Sequence, residues 1–406
     1  MQAQLQQKRD LRPYASSLLL SKKAFSPTTS SNIRFGKGLG EQGFYALLGK
    51  IEARPLLDTL IKEIVGINLF KIIFTRSKDE RLDVGVSEVG NTVAFAAGGL
   101  AVDKSLASFY RNAAKGSLNP ETARRFGIIG RSFALYSIIF SLLWAMPFVR
   151  NYITSRRIGS DRFTDVIKRQ QGPRQAEQQH LKQSLDYYKR QIAGILGLGV
   201  TGTLIAGALG FIGIRHTAKP GKILGEKILA RLFQEKPASV WKKLLLIEEG
   251  RFANFTGFPA LLFWGVPAYG GWIHASRDTY EKKEQVLKFA NFVACFFGPS
   301  LLLNKFYEKK FTPLLGAEKA TFANIQKLGE HTLAEQAIKQ KALKLWAGKN
   351  GLGLLSSVLL LGTMPQLINI HLTKKRLQRA QQAGRIDIYK PSQARHVLNG
   401  SLPVRG

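Results

Sequence analysis

The sequence predicts an all-α fold, a polytopic helical membrane protein of about six transmembrane helices with amphipathic helices at the membrane surface. The clearest observation is Ile192–Ile214, a run of 23 residues without a charge, Asn, Gln, His or Pro. As a helix this run is about 34 Å long, enough to cross a hydrocarbon core of about 30 Å. Further apolar stretches alternate with highly charged ones along the chain, as expected when membrane spans are joined by solvated linkers.

The third observation is the charge: 60 Lys and Arg face 27 Asp and Glu, which gives a formal net charge of +33. Such an excess predicts an anionic partner, either lipid headgroups or nucleic acid. The cations are spread over the linkers beside apolar spans, and no wet face interleaves them with aromatic residues as a base-stacking surface would. We therefore expect an anionic lipid membrane as the partner and do not favour nucleic acid.

Four regions follow from this distribution. Residues 1–40 are predicted to be a basic, disordered arm, with a mitochondrial-type transit peptide as the alternative. Residues 41–83 are predicted to be an amphipathic, interfacial helical segment, because Pro55 suits a first helical turn and a wide apolar face follows it. Residues 84–372 form the predicted membrane domain, and residues 373–406 a basic C-terminal tail.

The membrane domain contains six stretches of span-like composition. They cover residues 84–102, 132–149, 192–214, 252–275, 289–306 and 352–370. Lysine and arginine are abundant in the linkers on both sides of a six-span arrangement, although the positive-inside rule usually gives a sharper contrast. Either all six stretches cross a membrane with two basic faces, or some of the weaker ones are re-entrant or interfacial.

Small residues recur at helical spacing in the central run. One row is Gly202, Ala206 and Gly210, and the neighbouring row includes Gly199 and Gly207. In lipid, such rows allow helix backbones to approach closely. We predict that these residues are helix-packing contacts and that Gly194 lies outside the contact.

The even-numbered stretches align on a proline, which predicts three tandem helical hairpins, with chance recurrence as the alternative. Pro147, Pro267 and Pro365 each follow a leucine-rich turn, and a cation lies ten residues after each of them. A helix carries the chain about 15 Å over ten residues, which reaches the headgroup layer. The cations Arg157, Arg277 and Lys375 are therefore predicted to contact lipid headgroups.

Ionisable groups inside a membrane are candidate functional residues. Glu88 lies four residues into the first weak stretch, and Arg131 stands at the start of the second. We predict that they form an intramembrane ion pair, unless the first span begins after Glu88.

No pattern in the sequence indicates catalysis or a cofactor. The six histidines show no metal-ligand spacing, the single cysteine Cys295 lies in an apolar stretch, and no GxSxG motif occurs. The sequence therefore predicts a non-enzymatic structural or interaction protein that needs no cofactor or metal, with a homo-oligomer or another membrane protein as a further partner. A transporter or channel for a small solute or lipid is the alternative. The expected location is a bacterial plasma membrane, ahead of the mitochondrial inner membrane.

Overall fold

The computed structural model describes residues 40–168, 175–217, 261–316, 320–329 and 332–382. The chain divides into two compact units, Met1–Leu47 and Leu48–Gly406, and the described part of the first is residues 40–47. The described residues are about 90% helical and contain no strand, so the all-α prediction is confirmed.

The helices are numbered in chain order, and several contain a π-helical segment. They are α1 (Glu41–Glu52), α2 (Pro55–Ile61, π segment Lys62–Asn68, Leu69–Ile73), α3 (Lys78–Val93, π segment Ala94–Gly98, Gly99–Ala114), α4 (Pro120–Ile158), α5 (Phe163–Lys168), α6 (Gln175–His216), α7 (π segment Leu261–Gly265, Val266–His274), α8 (Thr279–Leu315), α9 (Phe322–Gln326) and α10 (Leu333–Ser356, π segment Ser357–Thr363, Met364–Gln382).

The helix starts follow from local hydrogen bonding. The side chains of Ser77, Asn119 and Asp278 each accept a hydrogen bond from the backbone N–H three residues later, which caps α3, α4 and α8. Thr332 and Glu335 form a reciprocal capping box at the start of α10. Helix α4 ends at Gly159, whose φ of 75° is a left-handed conformation that glycine adopts without a steric penalty.

Three helices in the described part of the chain are long and apolar enough to cross a membrane: Pro120–Ile158, Gln178–His216 and Leu333–Arg376. They contain the predicted spans 132–149, 192–214 and 352–370. In the second and third of these helices, 17% of the most apolar 18-residue stretch is buried inside the protein. Leucines on the outer face of α6 are correspondingly exposed, with Leu204 at 68%.

The other predicted spans have different outcomes. Stretches 84–102 and 289–306 lie within the continuous helices α3 and α8, which do not meet the same criteria of length and composition. Part of stretch 252–275 lies outside the described residues, as do residues 1–39 and 383–406 of the predicted arm and tail. Helix α10 runs on to Gln382, so the predicted tail begins as a helix.

Helix α4 lies at the centre of the described helices. Its side chains Leu135, Ile139 and Leu143 are buried and pack with Phe95 of α3 and Phe263 of α7. Tyr136 meets Phe263 edge-on, with ring centroids 4.7 Å apart. Helices α3, α6 and α7 all contact α4. In the C-terminal half of α4, Arg150 lies 3.7 Å from Asp83 near the start of α3 and 2.7 Å from Glu281 near the start of α8.

Candidate functional site: a buried charge cluster

The small residues of α6 lie where the helix meets α4 and α3. A Cβ added at Gly202 would be 2.8 Å from Ser137 Oγ, and one at Gly199 would overlap Ser141. At Gly210 it would lie 2.6 Å from Tyr110 Oη and 3.1 Å from the Cα of Gly130. These distances are shorter than non-bonded contacts allow, so the glycines permit the close approach of the helices.

The other members of these rows are also near the contact. Ala206 is buried, and the Tyr110 hydroxyl donates a hydrogen bond of 3.0 Å to the carbonyl of Gly207. A Cβ at Gly207 would meet the side chain of Leu106 at an ordinary 3.8 Å. At Gly194 an added Cβ would have nothing within 4 Å.

The structure does not bring Glu88 and Arg131 together, and this corrects the predicted ion pair. Glu88 Oε1 lies 2.9 Å from Nζ of Lys71, which reaches across from α2. Arg131 Nε lies 3.4 Å from Oδ1 of Asp103, and both of those side chains are buried. Each group therefore has a nearer partner of opposite charge, supplied by α2 for Glu88 and by the second half of α3 for Arg131.

The predicted headgroup cations divide into two kinds. Arg157 and Lys375 are exposed. Arg277 is not available to a headgroup, because none of its side chain is exposed and it is bonded to two carboxylates. This corrects the prediction for Arg277, which belongs to a buried charge cluster.

Two turns of related sequence build this cluster. Residues 76–83 and residues 277–284 share the pattern Arg-[Ser/Asp]-x-x-Glu-x-x-[Asp/Glu]. We name them the first and second Arg-turns. Each follows a helix that contains a π-helical segment, α2 or α7, and each begins the long helix that comes next, α3 or α8.

Within each Arg-turn the arginine binds the glutamate four residues later. Arg76 Nε donates to Glu80 Oε1 at 2.9 Å, and the backbone N–H of Arg76 also donates to Glu80. Arg277 Nη2 donates to Glu281 Oε1 at 3.0 Å, and its backbone N–H donates to Oε2 at 2.7 Å. The glutamate therefore fixes both the backbone and the side chain of the arginine at the start of the helix.

Between the turns, each arginine reaches the last acidic residue of the other turn. Arg277 donates from both terminal nitrogens to Asp83, at 3.1 and 3.0 Å. Arg76 Nη2 lies 3.3 Å from Glu284 Oε2. The two turns are thus joined reciprocally.

Other helices complete the cluster. From α4, Arg150 Nη2 donates to Glu281 Oε1 at 2.7 Å, and the neighbouring Asn151 donates to the carbonyl of Ala275.

Glu284 accepts two further hydrogen bonds. Lys288 Nζ, also in α8, donates to it at 3.0 Å, and Thr373 of α10 donates to the same carboxylate at 2.9 Å. α4 and α10 therefore hold the second turn in position.

The formal charges of the cluster balance. Four cations, Arg76, Arg150, Arg277 and Lys288, face four carboxylates, Glu80, Asp83, Glu281 and Glu284. Removing a charge from water is unfavourable, and pairing with hydrogen-bonded partners offsets that cost.

The surroundings shift several acid pKa values in the second Arg-turn. Burial alone would raise the pKa of Glu281, but Arg150 and Arg277 hold it at about 2. The pKa of Glu284 is likewise lowered, because Lys288 and Arg76 outweigh its burial. Burial raises the pKa of Asp278, which caps α8, to about 6.

Phe163 lies between the two arginines. Its ring centre is 5.5 Å from the guanidinium carbon of Arg76 and 5.6 Å from that of Arg277. The backbone of α5 is bonded to both turns, because Ser77 Oγ donates to the carbonyl of Val166 at 2.6 Å and the N–H of Phe163 donates to Asp278 at 3.2 Å.

A small cavity of about 10 Å³ lies beside the cluster, room for roughly one water molecule. Its lining combines charged groups of both Arg-turns with Ser87, Phe163, Trp272 and Gln285. In the described part of the chain, His, Cys, Asp and Glu form no group of three that could hold a metal.

Sequence reasoning missed this cluster although its signal was present. The recurrence of the Arg-turn pattern at 76–83 and 277–284 was readable in the sequence. The proline alignment singled out Arg277, ten residues after Pro267, and grouped it with cations that are exposed. Burial of the acids and the reciprocal pairing depend on tertiary packing, which a single sequence does not reveal.

Comparison with protein-family models, curated proteins and solved structures gives no match for this chain.

Proposed function

We propose that the protein is a multi-pass integral membrane protein, non-enzymatic and structural or interaction-type, whose basic linkers lie against anionic headgroups. The observation that carries this proposal is the outer face of α6. Leu198, Leu204 and Leu209 are each more than 60% exposed over a helix long enough to span a bilayer. Lipid solvates such a face, whereas exposing it to water costs about 25 cal/mol for each Å² of apolar surface.

The six-span arrangement is part of the proposal. Helices α4, α6 and α10 supply three spans, and residues 84–102, 252–275 and 289–306 supply the others. Glu88 and Asp103 of α3 are each paired with a cation and are at most 13% exposed, which is how ionisable residues are accommodated within membrane bundles. Exposed cations such as Arg157, Arg190, Arg215 and Lys375 are placed to contact headgroups.

Site-directed spin labelling tests the lipid exposure of α6. A nitroxide at Leu204, in a Cys295→Ser background reconstituted in lipid, is expected to collide with oxygen more often than with a water-soluble nickel chelate. A label at the exposed Lys182, in the polar part of the same helix, is the matched control and should show the reverse. If the Leu204 label favours the nickel chelate, α6 does not face lipid and the proposal fails.

The buried charge cluster favours a second candidate function, a transporter or channel for a small polar solute. Transporters place their sites between repeated units, beside helices with irregular backbone. Here each Arg-turn follows a helix that contains a π segment, and a cavity is lined by residues of both turns. Flux of small solutes into proteoliposomes tests this function, and selective uptake would favour it over a purely structural role.

A further inference from the structure

Two residues that line the cavity beside the cluster each carry a buried polar atom without a hydrogen-bond partner. Trp272 Nε1, a donor, and Gln285 Oε1, an acceptor, both belong to residues that are 3% exposed, and both residues line the cavity. Leaving such a group unpaired is unfavourable, so buried polar atoms normally have a partner. A molecule that accepts one hydrogen bond and donates another would satisfy both atoms.

The charge balance of the cluster limits what this molecule can be. Glu80, Asp83 and Glu284 line the cavity, but each is already paired with an arginine or lysine. Neither a cation nor an anion would find an uncompensated partner there. The lining therefore fits a small polar solute with no net charge.

Phe163 lines the cavity, is 3% exposed and contacts an arginine of each Arg-turn. It stacks against two arginines, and two backbone hydrogen bonds tie α5 to Ser77 and Asp278. The cavity has room for about one water molecule, so a larger solute can bind only if a lining side chain moves.

We propose that this cavity is the closed form of a binding site for a small uncharged polar solute, that Trp272 and Gln285 bind the solute, and that Phe163 is the plug. The proposal rests on the second candidate function, because a gated polar site serves a solute pathway. Displacing the ring from between Arg76 and Arg277 opens the site while the reciprocal ion pairs hold the two turns together.

Accessibility of a cysteine at Ser87 tests the plug. Ser87 lines the cavity and is 4% exposed, whereas Ser105 on the same helix is exposed. In a Cys295→Ser background, a water-soluble thiol reagent should label Ser87→Cys slowly and Ser105→Cys rapidly. Adding Phe163→Ala should accelerate labelling at Ser87→Cys about tenfold or more, equivalent to about 1.4 kcal/mol of opening free energy, without changing Ser105→Cys.

Phe163→Leu is the second variant, in case the alanine variant does not fold. It keeps an apolar side chain but loses the stacking on the arginines, so it should give an intermediate labelling rate. Fast labelling of Ser87→Cys with Phe163 intact, or equal rates in all folded variants, would overturn the plug.

Formamide, a small neutral molecule with both a donor and an acceptor, probes binding. It should slow labelling of Ser87→Cys in the Phe163→Ala protein, at concentrations that leave Ser105→Cys unaffected. Trp272→Phe should abolish this protection by removing the donor. Absence of protection, or protection that survives Trp272→Phe, would overturn the site. Solute flux is a separate readout. If labelling depends on the plug and formamide protects the cysteine but no solute flux is measured, the binding site stands and the transport function is rejected.

Discussion

Arg277 donates hydrogen bonds to Asp83 and Glu281 while none of its side chain is exposed. A guanidinium suits this position, because its fixed fork of donors can serve two carboxylates at once. Breaking a buried ion pair leaves a charge without compensation, whereas exposed pairs contribute little. The residue therefore links two segments of the chain that lie about 200 positions apart in sequence.

Removal of this side chain should destabilise the protein strongly. Arg277→Ala is expected to lower the free energy of unfolding in detergent by about 3–5 kcal/mol. Arg124→Ala, which removes an arginine that is 64% exposed, is the control and should cost less than about 1 kcal/mol.

A double-mutant cycle separates the ion pair from general damage. Asp83→Ala combined with Arg277→Ala should cost about 0.5–3 kcal/mol less than the sum of the single changes, because the double variant leaves fewer unpaired charges. Strict additivity would show that the two side chains do not interact.

The acids of the second Arg-turn make stability depend on pH in two windows. Glu281, with a pKa of about 2, and Glu284, also lowered, contribute stability that is complete above their unfolded values near 4.5 and is lost as the pH falls from there. Asp278, with its pKa raised to about 6, contributes stability that is complete below about 4 and is lost as the pH rises through 6.

Asp278→Asn should therefore abolish the loss of stability between about pH 4 and 6 while preserving the acid loss below 4.5. Asparagine keeps the helix-capping acceptor, so α8 still begins at the same residue. Thermal unfolding measured from pH 3 to 7 checks this, and an unchanged slope between pH 4 and 6 would contradict the raised pKa.

At the scale of the helices, the contact between α6 and α4 depends on glycines, which have no side chain. Gly202→Leu should disrupt packing by forcing a side chain against Ser137, with a loss of about 1–3 kcal/mol or more. Gly194→Leu is the matched control on the same helix and should be nearly neutral, because open space surrounds that position. Thermal stability in detergent distinguishes them, and equal effects would mean that the predicted row is not the contact.

A helix could be predicted from the sequence where the residues that determine it are close together in the chain. The run from Ile192 to Ile214 predicted α6 because composition and length suffice, and its glycine row could be placed from helical spacing alone. The partners of Glu88 and Arg131 could not be predicted, since Lys71 and Asp103 are as near in sequence as other charges. The π segments were also missed, because nothing in a single sequence marks where the backbone gains an extra residue per turn.

At the scale of the whole molecule, we propose that apolar helices face lipid around an interior whose charges are paired. The two Arg-turns join helices from early and late in the chain, and α4 packs against the helices at both ends of this link. Sequence composition predicted the membrane setting, but the charged interior required the tertiary structure, because the same acids and arginines would suit a solvated linker.

Cysteine labelling at the two ends of α6 tests whether this helix crosses a membrane. Arg190 and Arg215 are exposed and flank the apolar run. Single cysteines at these positions, in a Cys295→Ser background, are treated with an impermeant maleimide in sealed vesicles of uniform orientation. We predict that one position is labelled in intact vesicles and the other only after permeabilisation. Equal labelling of both positions in intact vesicles would contradict it.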